Sequence, residues 1–154
     1  VASNEDPQVA RSRITPASHH EPVVAVAWQH QAGVVDTNKK RTKKVEEEYQ
    51  LISLGMDGKV LVWHWTAGGT MEAPLSGYEL IYTQPTTHKM IVWGGTCMSF
   101  QEQQRKKAVV DSATLVVGTE GGAIFRCLLG SGAGQVDAGQ KYRSAVKAEF
   151  AGHA

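Results

Sequence analysis

Two side chains in this sequence, His19 and Asp57, could together perform acid–base chemistry. A histidine beside a carboxylate can act as a general base near neutral pH, so a catalytic dyad is one interpretation of the pair. The alternative is a buried hydrogen-bond network that stabilises the fold. The sequence contains no convergent set of acid, base and nucleophile. We therefore expect the structural role, with no catalytic residue and no enzymatic activity.

Other motifs that could bind a metal, a phosphate or a base are incomplete. His19 and His20 are far from any cysteine and lack zinc-ligand spacing. The glycine-rich segment 118–122 is not followed by the Lys-Ser/Thr of a phosphate loop. Cys97 lies in a predicted strand, where a buried, unreactive thiol is expected. Packing in the core, rather than stacking on bases, is expected of the four tryptophans Trp28, Trp63, Trp65 and Trp93. No metal and no cofactor are predicted.

The composition is that of an ordinary globular chain. Of its 154 residues, 42% are hydrophobic and 20% are charged, and the net charge is +1, so no strong field attracts it to nucleic acid or to an anionic membrane. The longest apolar run, residues 23–28, is too short to span a bilayer. Two cysteines without a Cys-x-x-Cys pattern indicate reduced thiols and an intracellular protein. The basic segments 39–44 and 105–107 are expected to be solvated loops, with contact to an acidic partner such as a tubulin tail as the alternative.

Eight short apolar segments predict β-strands, and no segment has a helical period. The strands are predicted at 23–28, 49–54, 59–65, 78–82, 95–100, 114–118, 123–129 and 145–150. Residues 23–28 are apolar throughout, which predicts a buried strand. Asp57-Gly58 forms the tight turn between the second and third strands, because glycine tolerates the positive φ that such hairpins need.

The two sets of four strands form a repeat. A shift of 63 residues places Glu120 on Asp57 and Gly121 on Gly58. Four strands per unit is the arrangement of a propeller blade, whose usual period is about 40–45 residues. Most of the excess length is a long inserted loop predicted at 29–48. The predicted fold is all-β, a β-propeller fragment of about two four-stranded antiparallel blades.

The first unit resembles a WD repeat. In that family a histidine before the first strand is followed by apolar residues four, seven and nine positions later. His19 is followed in this way by Val23, Val26 and Trp28. The family also has a Ser or Thr in the second strand, then an Asp-Gly turn, then a tryptophan in the third strand, and this unit has all three at the expected spacing.

The resemblance implies a buried structural tetrad of His19, Ser53, Asp57 and Trp63. In it Asp57 accepts a hydrogen bond from His19, His19 is linked to Ser53, and Ser53 is linked to the indole N–H of Trp63. Such a network is stable only when complete, because an unpaired buried polar group costs about 1–3 kcal/mol.

The second unit departs from that pattern. The repeat places Glu120 at the position of Asp57 and Arg126 at the position of Trp63, and no histidine precedes Gly95 at the matching place. This unit is expected to lack the tetrad and to rely on strand packing. The expected organisation is a connector from a preceding blade at 1–18, a WD blade at 19–82, a degenerate second blade at 83–150 and the start of a third blade at 151–154.

Several longer stretches resemble the WD-repeat dynein intermediate chains. They are residues 22–28, 51–63, 78–82 and 94–100, the Gly-Thr-Glu-Gly turn at 118–121, and the Phe-Ala-Gly-His at 150–153. The resemblance covers nearly the whole chain and is greatest to the intermediate chains of cytoplasmic dynein 2, the retrograde motor of intraflagellar transport. Axonemal outer-arm intermediate chains share the Gly-Thr-Glu-Gly element.

This resemblance implies a non-catalytic scaffold. In such motors the propeller binds the tail of a dynein heavy chain, and a second intermediate chain completes the pair. Light chains are expected to bind an extended N-terminal region that we expect to lie outside this sequence. The implied locations are the cytoplasm, the cytoskeleton and the cilium or flagellum, with no nucleic-acid partner and no membrane insertion. Two alternatives stay open: an axonemal outer-arm intermediate chain, and a WD-repeat substrate receptor of a ubiquitin ligase or another complex. No residue is assigned to partner contact.

Overall fold

The computed structural model describes residues 12–31, 48–65, 71, 74, 76–101, 112–130 and 142–150. Regular secondary structure in these residues consists of strands, with no helix, so the prediction of an all-β fold is confirmed. The described residues form no helix that is long and apolar enough to cross a membrane. The basic segments 39–44 and 105–107 and the predicted third-blade start at 151–154 lie outside the described residues.

The described strands, in chain order, are β1 (Val23–Gln31), β2 (Glu48–Gly55), β3 (Lys59–Trp65), β4 (Ser76–Glu79), β5 (Ile81–Thr83), β6 (Met90–Val92), β7 (Gly95–Phe100), β8 (Ser112–Thr119), β9 (Ile124–Gly130), β10 (Arg143–Ser144) and β11 (Val146–Phe150). They form a five-stranded sheet in the order β1-β2-β3-β4-β10, a four-stranded sheet in the order β7-β8-β9-β11, and the hairpin β5-β6. We call the first two the first sheet and the second sheet.

In the first sheet, β1 to β4 run antiparallel, and β10 alone adds in parallel at the outer side of β4. The turn between β2 and β3 depends on Gly58, whose φ is +74° and whose N–H donates to the carbonyl of Gly55 over 3.1 Å. A side chain at this φ would be strained. Asp-Gly therefore makes the predicted turn.

β1 forms as predicted, but the prediction that it is buried is wrong. Val26 is 62% exposed and Trp28 is 57% exposed, whereas Ile52 in the adjacent strand is 1% exposed. The difference arises because β1 is an edge strand, and a run of apolar residues does not say which neighbours cover it. The strand also extends to Gln31, and β2 begins at Glu48. Both ends of the loop predicted at 29–48 are thus strand residues.

The single strand predicted at 78–82 is divided at Leu80. The backbone N–H of Leu80 donates to the carbonyl of Gly58 over 2.8 Å, and the carbonyl of Leu80 accepts from the N–H of Trp93 over 3.1 Å. Leu80 therefore turns the chain out of β4 and into the hairpin β5-β6, which the sequence did not predict.

The register of the second sheet corrects the repeat. Ser53 pairs with Leu61 in the first sheet, and Val117 pairs with Phe125 in the second. Ser53 is therefore equivalent to Val117, and Leu61 to Phe125. The residues of each equivalent pair are 64 positions apart, not 63. Two matching backbone hydrogen bonds, one beside the first strand of each sheet, agree with this shift of the donor residue. The Met56 N–H donates to the Pro22 carbonyl in the first sheet, and the Glu120 N–H donates to the Gly94 carbonyl in the second, each over 3.0 Å.

A shift of one residue exchanges the two faces of a strand. The equivalences of Glu120 with Asp57 and of Arg126 with Trp63 are therefore wrong. Gly121 stands at the position of Asp57, and Cys127 stands at the position of Trp63. The sequence was ambiguous because glycines occupy both 121 and 122, and the positive φ of +80° belongs to Gly122.

The main core lies between the two sheets. Its centre is formed by the buried side chains Ile52, Leu54, Val60 and Val62 of the first sheet and Leu115, Val117, Phe125 and Cys127 of the second. At Gly95 the sheets approach so closely that an added Cβ would overlap the side chain of Leu54. The contacting face of the second sheet contains Val117 and Cys127. These residues are equivalent to Ser53 and Trp63, which lie on the opposite face of the first sheet. The sheets thus stack as repeated units facing the same way.

Candidate functional site

The structure brings His19, Ser53, Asp57 and Trp63 into one hydrogen-bonded chain. The Nδ1 atom of His19 lies 3.1 Å from Oδ1 and 3.3 Å from Oδ2 of Asp57. The Nε2 atom of His19 lies 2.8 Å from Ser53 Oγ, and the indole Nε1 of Trp63 lies 2.8 Å from the same oxygen. All four residues that the sequence singled out are therefore adjacent in space.

Three local structures position these side chains. His19 precedes β1 and follows a turn in which the N–H of Ser18 donates to the carbonyl of Thr15 over 2.9 Å. Ser53 and Trp63 lie on one face of the paired strands β2 and β3, and both are buried, at 4% and 5% exposure. Asp57 lies in the turn that joins those strands.

The donors and acceptors of this hydrogen-bonded network fix the positions of its protons. An indole N–H can only donate, so Trp63 donates to Ser53 Oγ, and the Ser53 hydroxyl is left to donate to His19 Nε2. A nitrogen that accepts must be unprotonated, so the neutral His19 ring carries its proton on Nδ1 and donates it to Asp57. Each polar atom along the chain thereby has a partner.

Asp57 also holds the backbone that enters the first sheet. Its carboxylate accepts from the backbone N–H of His20 over 2.9 Å and from that of Lys59 over 3.0 Å. Burial raises the pKa of the Asp57 carboxyl, but the bonds from His20, His19 and Lys59 outweigh it, so the net pKa is lowered from 3.8. The carboxylate is therefore ionised at neutral pH.

The order Asp57–His19–Ser53 is that of a hydrolase triad, but the surroundings do not suit catalysis. The side chains of His19 and Asp57 are only 6% and 9% exposed, and Ser53 Oγ is already occupied by Trp63. A groove of about 560 Å³ lies elsewhere, between β5-β6 and β11, and includes none of the four residues. The arrangement can hold the segment before β1, the turn and the two strands together.

The second sheet replaces the polar network with apolar groups. Val117 stands at the position of Ser53 and Cys127 at that of Trp63, and both are 0% exposed. At Gly121, the position of Asp57, an added Cβ would overlap the ring of Trp93. Replacing every partner of a buried network by apolar groups leaves no group of that network unpaired, although in the described part of the chain the Trp93 indole Nε1 is buried without a hydrogen-bond partner. The sequence did not predict this replacement of polar by apolar residues, because the predicted repeat of 63 residues was one residue too short.

Glu120 lies one position before the equivalent of Asp57, and its carboxylate also bonds to the backbone. Its Oε1 atom accepts from the backbone N–H of Gly94 over 3.0 Å, and its own N–H donates to the Gly94 carbonyl. A side-chain carboxylate therefore fastens the segment that enters β7, as Asp57 fastens the segment that enters β1.

The two cysteines differ, and one expectation about them is wrong. Cys127 is buried, and burial raises the pKa of its thiol to about 12. Cys97, expected to be buried, is exposed. It lies in the edge strand β7, opposite Gly118, on the face turned away from the first sheet. Within the described part of the chain, no three His, Cys, Asp or Glu side chains are grouped to hold a metal ion.

The tryptophans also differ in burial. Trp63 is buried and Trp93 is partly buried against the core, in agreement with the expected packing role. Trp28 is more than half exposed, and the side chain of Trp65 lies outside what the structure describes. Lys59, which sequence reasoning did not single out, is only 8% exposed. Its Nζ donates to the carbonyl of Ser18 over 3.1 Å.

Comparisons with known proteins point to one family. The chain is 27% identical over 136 residues to the cytoplasmic dynein 2 intermediate chain 2 of Homo sapiens. It is 28% identical over 135 residues to the protein of the same name from Mus musculus. The comparison supports a relation to dynein intermediate chains.

These matches cover 83% and 82% of this chain but 22% of each relative. The chain thus spans about a fifth of the length of the curated relatives it matches. No family model matches the sequence.

Proposed function

We propose that the two sheets are consecutive blades of a WD-repeat β-propeller, with the first blade at 19–82 and the second at 83–150. Three features support this proposal. Each unit has four antiparallel strands in sequence order. The central strands β2 and β3 of the first unit repeat as β8 and β9 of the second with a shift of 64 residues, and the units stack with the same orientation. The hydrogen-bonded set of His19, Ser53, Asp57 and Trp63 has the residue types and partners of a WD tetrad.

In this proposal the tetrad is a structural element. It joins the segment before β1, which strand pairing does not hold, to β2, the β2-β3 turn and β3. The second blade is joined instead by apolar packing of Trp93 over Gly121 and by the bond of Glu120 to Gly94.

We further propose that the chain is a non-catalytic part of a dynein intermediate chain of the cytoplasmic dynein 2 type. The similarity to the two dynein 2 intermediate chains carries this proposal. The partners would be a dynein heavy chain and a second intermediate chain, and the site of action the cytoskeleton and the cilium. The buried network, in which the Ser53 hydroxyl is already engaged by His19 and Trp63, favours a scaffold over an enzyme.

Affinity purification of the protein from ciliated cells tests the functional proposal. We expect a dynein heavy chain to be recovered with the wild type, and its identity separates cytoplasmic dynein 2 from an axonemal dynein. Recovery of ubiquitin-ligase components without any dynein heavy chain would reject the proposal. Ser53→Ala is expected to reduce heavy-chain recovery by weakening the first blade, and Ser99→Ala, at an exposed position of β7, is the matched control.

A further inference from the structure

A short segment of the second unit crosses to the first sheet. After β9 the chain reaches Tyr142, and the two residues of β10 then pair in parallel with β4, Arg143 with Tyr78 and Ser144 with Glu79. The hydroxyl of Ser144 donates to the carbonyl of Ile81 over 3.0 Å. We call residues 142–145 the strap.

The strap connects the two sheets through Ala145, which is 0% exposed. Its N–H donates to the carbonyl of Glu79 in the first sheet over 3.0 Å, and its carbonyl accepts from the N–H of Leu128 in the second sheet over 2.9 Å. One buried residue is thus hydrogen-bonded to both sheets, so a movement of the strap would break contacts with both.

Tyr142 extends the strap over the face that contains the tetrad. Its ring packs on Gly77, where an added Cβ would overlap it, and the Lys59 ammonium lies 5.4 Å from the ring centroid. The Tyr142 hydroxyl donates to the carbonyl of Ala17 over 2.9 Å. Burial, with the charges of Glu79 and Asp57, raises the pKa of the Tyr142 phenol, so it keeps its proton for this bond.

The backbone carbonyls of Ala17 and Ser18, the two residues before His19, therefore both accept hydrogen bonds from side chains that lie elsewhere in the sequence. Tyr142 donates to the carbonyl of Ala17, and Lys59 donates to the carbonyl of Ser18. These bonds hold the backbone immediately before His19. The position of that backbone matters because the His19 ring must reach Ser53 and Asp57 simultaneously. We propose that Tyr142 is a positioning residue, through which the second unit holds His19 in place and so closes the tetrad of the first unit.

Proton exchange at the Trp63 indole tests this role. The whole chain is labelled with ¹⁵N, and the Trp63 signal is identified by its absence in Trp63→Phe. In Tyr142→Phe, which keeps the ring and removes the hydroxyl, we expect the Trp63 indole N–H to exchange about tenfold faster, as for the loss of one part-buried hydrogen bond. The backbone N–H of Leu115 in β8 is expected to exchange at an unchanged rate.

Tyr82→Phe is the matched control, since the Tyr82 ring packs near Trp93 and Phe125 and takes no part in the hydrogen bonds of the tetrad. It is expected to leave Trp63 exchange unchanged. Ser144→Ala loosens the strap without altering Tyr142 and is expected to speed Trp63 exchange about threefold.

Unchanged Trp63 exchange in Tyr142→Phe and Ser144→Ala would overturn the proposal. So would equal acceleration at Trp63 and Leu115, because that result indicates a general loss of stability. If Tyr142→Phe does not fold, Ser144→Ala decides alone. No dynein partner is needed, so this test and the test of the proposed function can fail separately.

Discussion

Trp63 and Cys127 occupy equivalent positions in the two sheets, Trp63 opposite Leu51 and Cys127 opposite Leu115. The Trp63 indole donates to Ser53 Oγ, whereas the Cys127 thiol is buried among apolar side chains. The same strand position thus belongs to a polar network in one sheet and to the apolar core in the other. Substitutions at equivalent positions should therefore have different consequences.

Trp63→Ala is expected to destabilise the protein by about 3–5 kcal/mol. The substitution leaves a cavity and removes the donor to Ser53, and the two losses act on the same part of β2 and β3. Urea denaturation followed by circular dichroism measures the free energy of unfolding. Cys127→Ala, which removes one sulfur at the equivalent position, should cost clearly less. A soluble Trp63→Ala protein with an unchanged melting temperature would contradict the structural role of the tetrad.

Ser53→Ala is expected to cost about 1–3 kcal/mol, because it leaves the Trp63 N–H without an acceptor and His19 Nε2 without a donor. The same denaturation measurement applies. Ser99→Ala at an exposed position should change the free energy of unfolding by less than about 0.5 kcal/mol. Equal effects at the two serines would show that the buried hydroxyl contributes nothing particular.

Asp57 should make the stability depend on acid pH. Its pKa in the folded protein is lowered from 3.8, so ionised Asp57 contributes stability above that value. This stability is lost as the pH falls through the folded pKa. The free-energy difference between the wild type and Asp57→Asn should be largest near neutral pH and shrink below about pH 4. A difference that stays constant between pH 7 and pH 3 would speak against this contribution.

Gly121→Ala is expected to destabilise the second sheet by about 1–3 kcal/mol, since the new methyl group would overlap the Trp93 ring. Gly130→Ala is the control, because nothing lies within 4 Å of a Cβ at that position. Thermal unfolding compares the two variants. If both melt at the same temperature, Trp93 does not pack over the turn in solution.

The two thiols should react at very different rates. Cys97 is exposed, whereas Cys127 is buried with its pKa raised to about 12, and the thiolate is the reactive form. A maleimide reagent at neutral pH should therefore label one thiol per folded chain and two in denaturant. Cys97→Ser should remove the labelling of the folded protein. Rapid modification of Cys127 without denaturant would contradict its buried position.

Local patterns in the sequence predicted most strands and the first turn. The predicted ranges 59–65 and 95–100 coincide with β3 and β7, because alternating and β-branched apolar residues favour a strand wherever it packs. Gly58 identified its turn, because few other residues adopt its φ. The types and spacing of His19, Ser53, Asp57 and Trp63 singled out the four residues that the structure brings together.

Two side-chain hydrogen bonds have no signal in the sequence. Lys59 directly follows the turn, and Tyr142 lies beyond a glycine-rich stretch. Neither position has a pattern that distinguishes a buried bond to a distant carbonyl from an exposed side chain. Their partners are far along the chain, Lys59 to Ser18 and Tyr142 to Ala17, so only the folded chain identifies them.

The sequence by itself determined the β character of the chain, most of its strands and the residue types of the network. Only the tertiary structure decided the register of the second sheet, the exposure of β1 and Cys97, and the path of the strap. The physical reason is that strand propensity is local, whereas register and burial depend on which surfaces meet. A one-residue difference, 63 against 64, hardly alters a sequence pattern, yet it decides whether Arg126 or Cys127 faces the core.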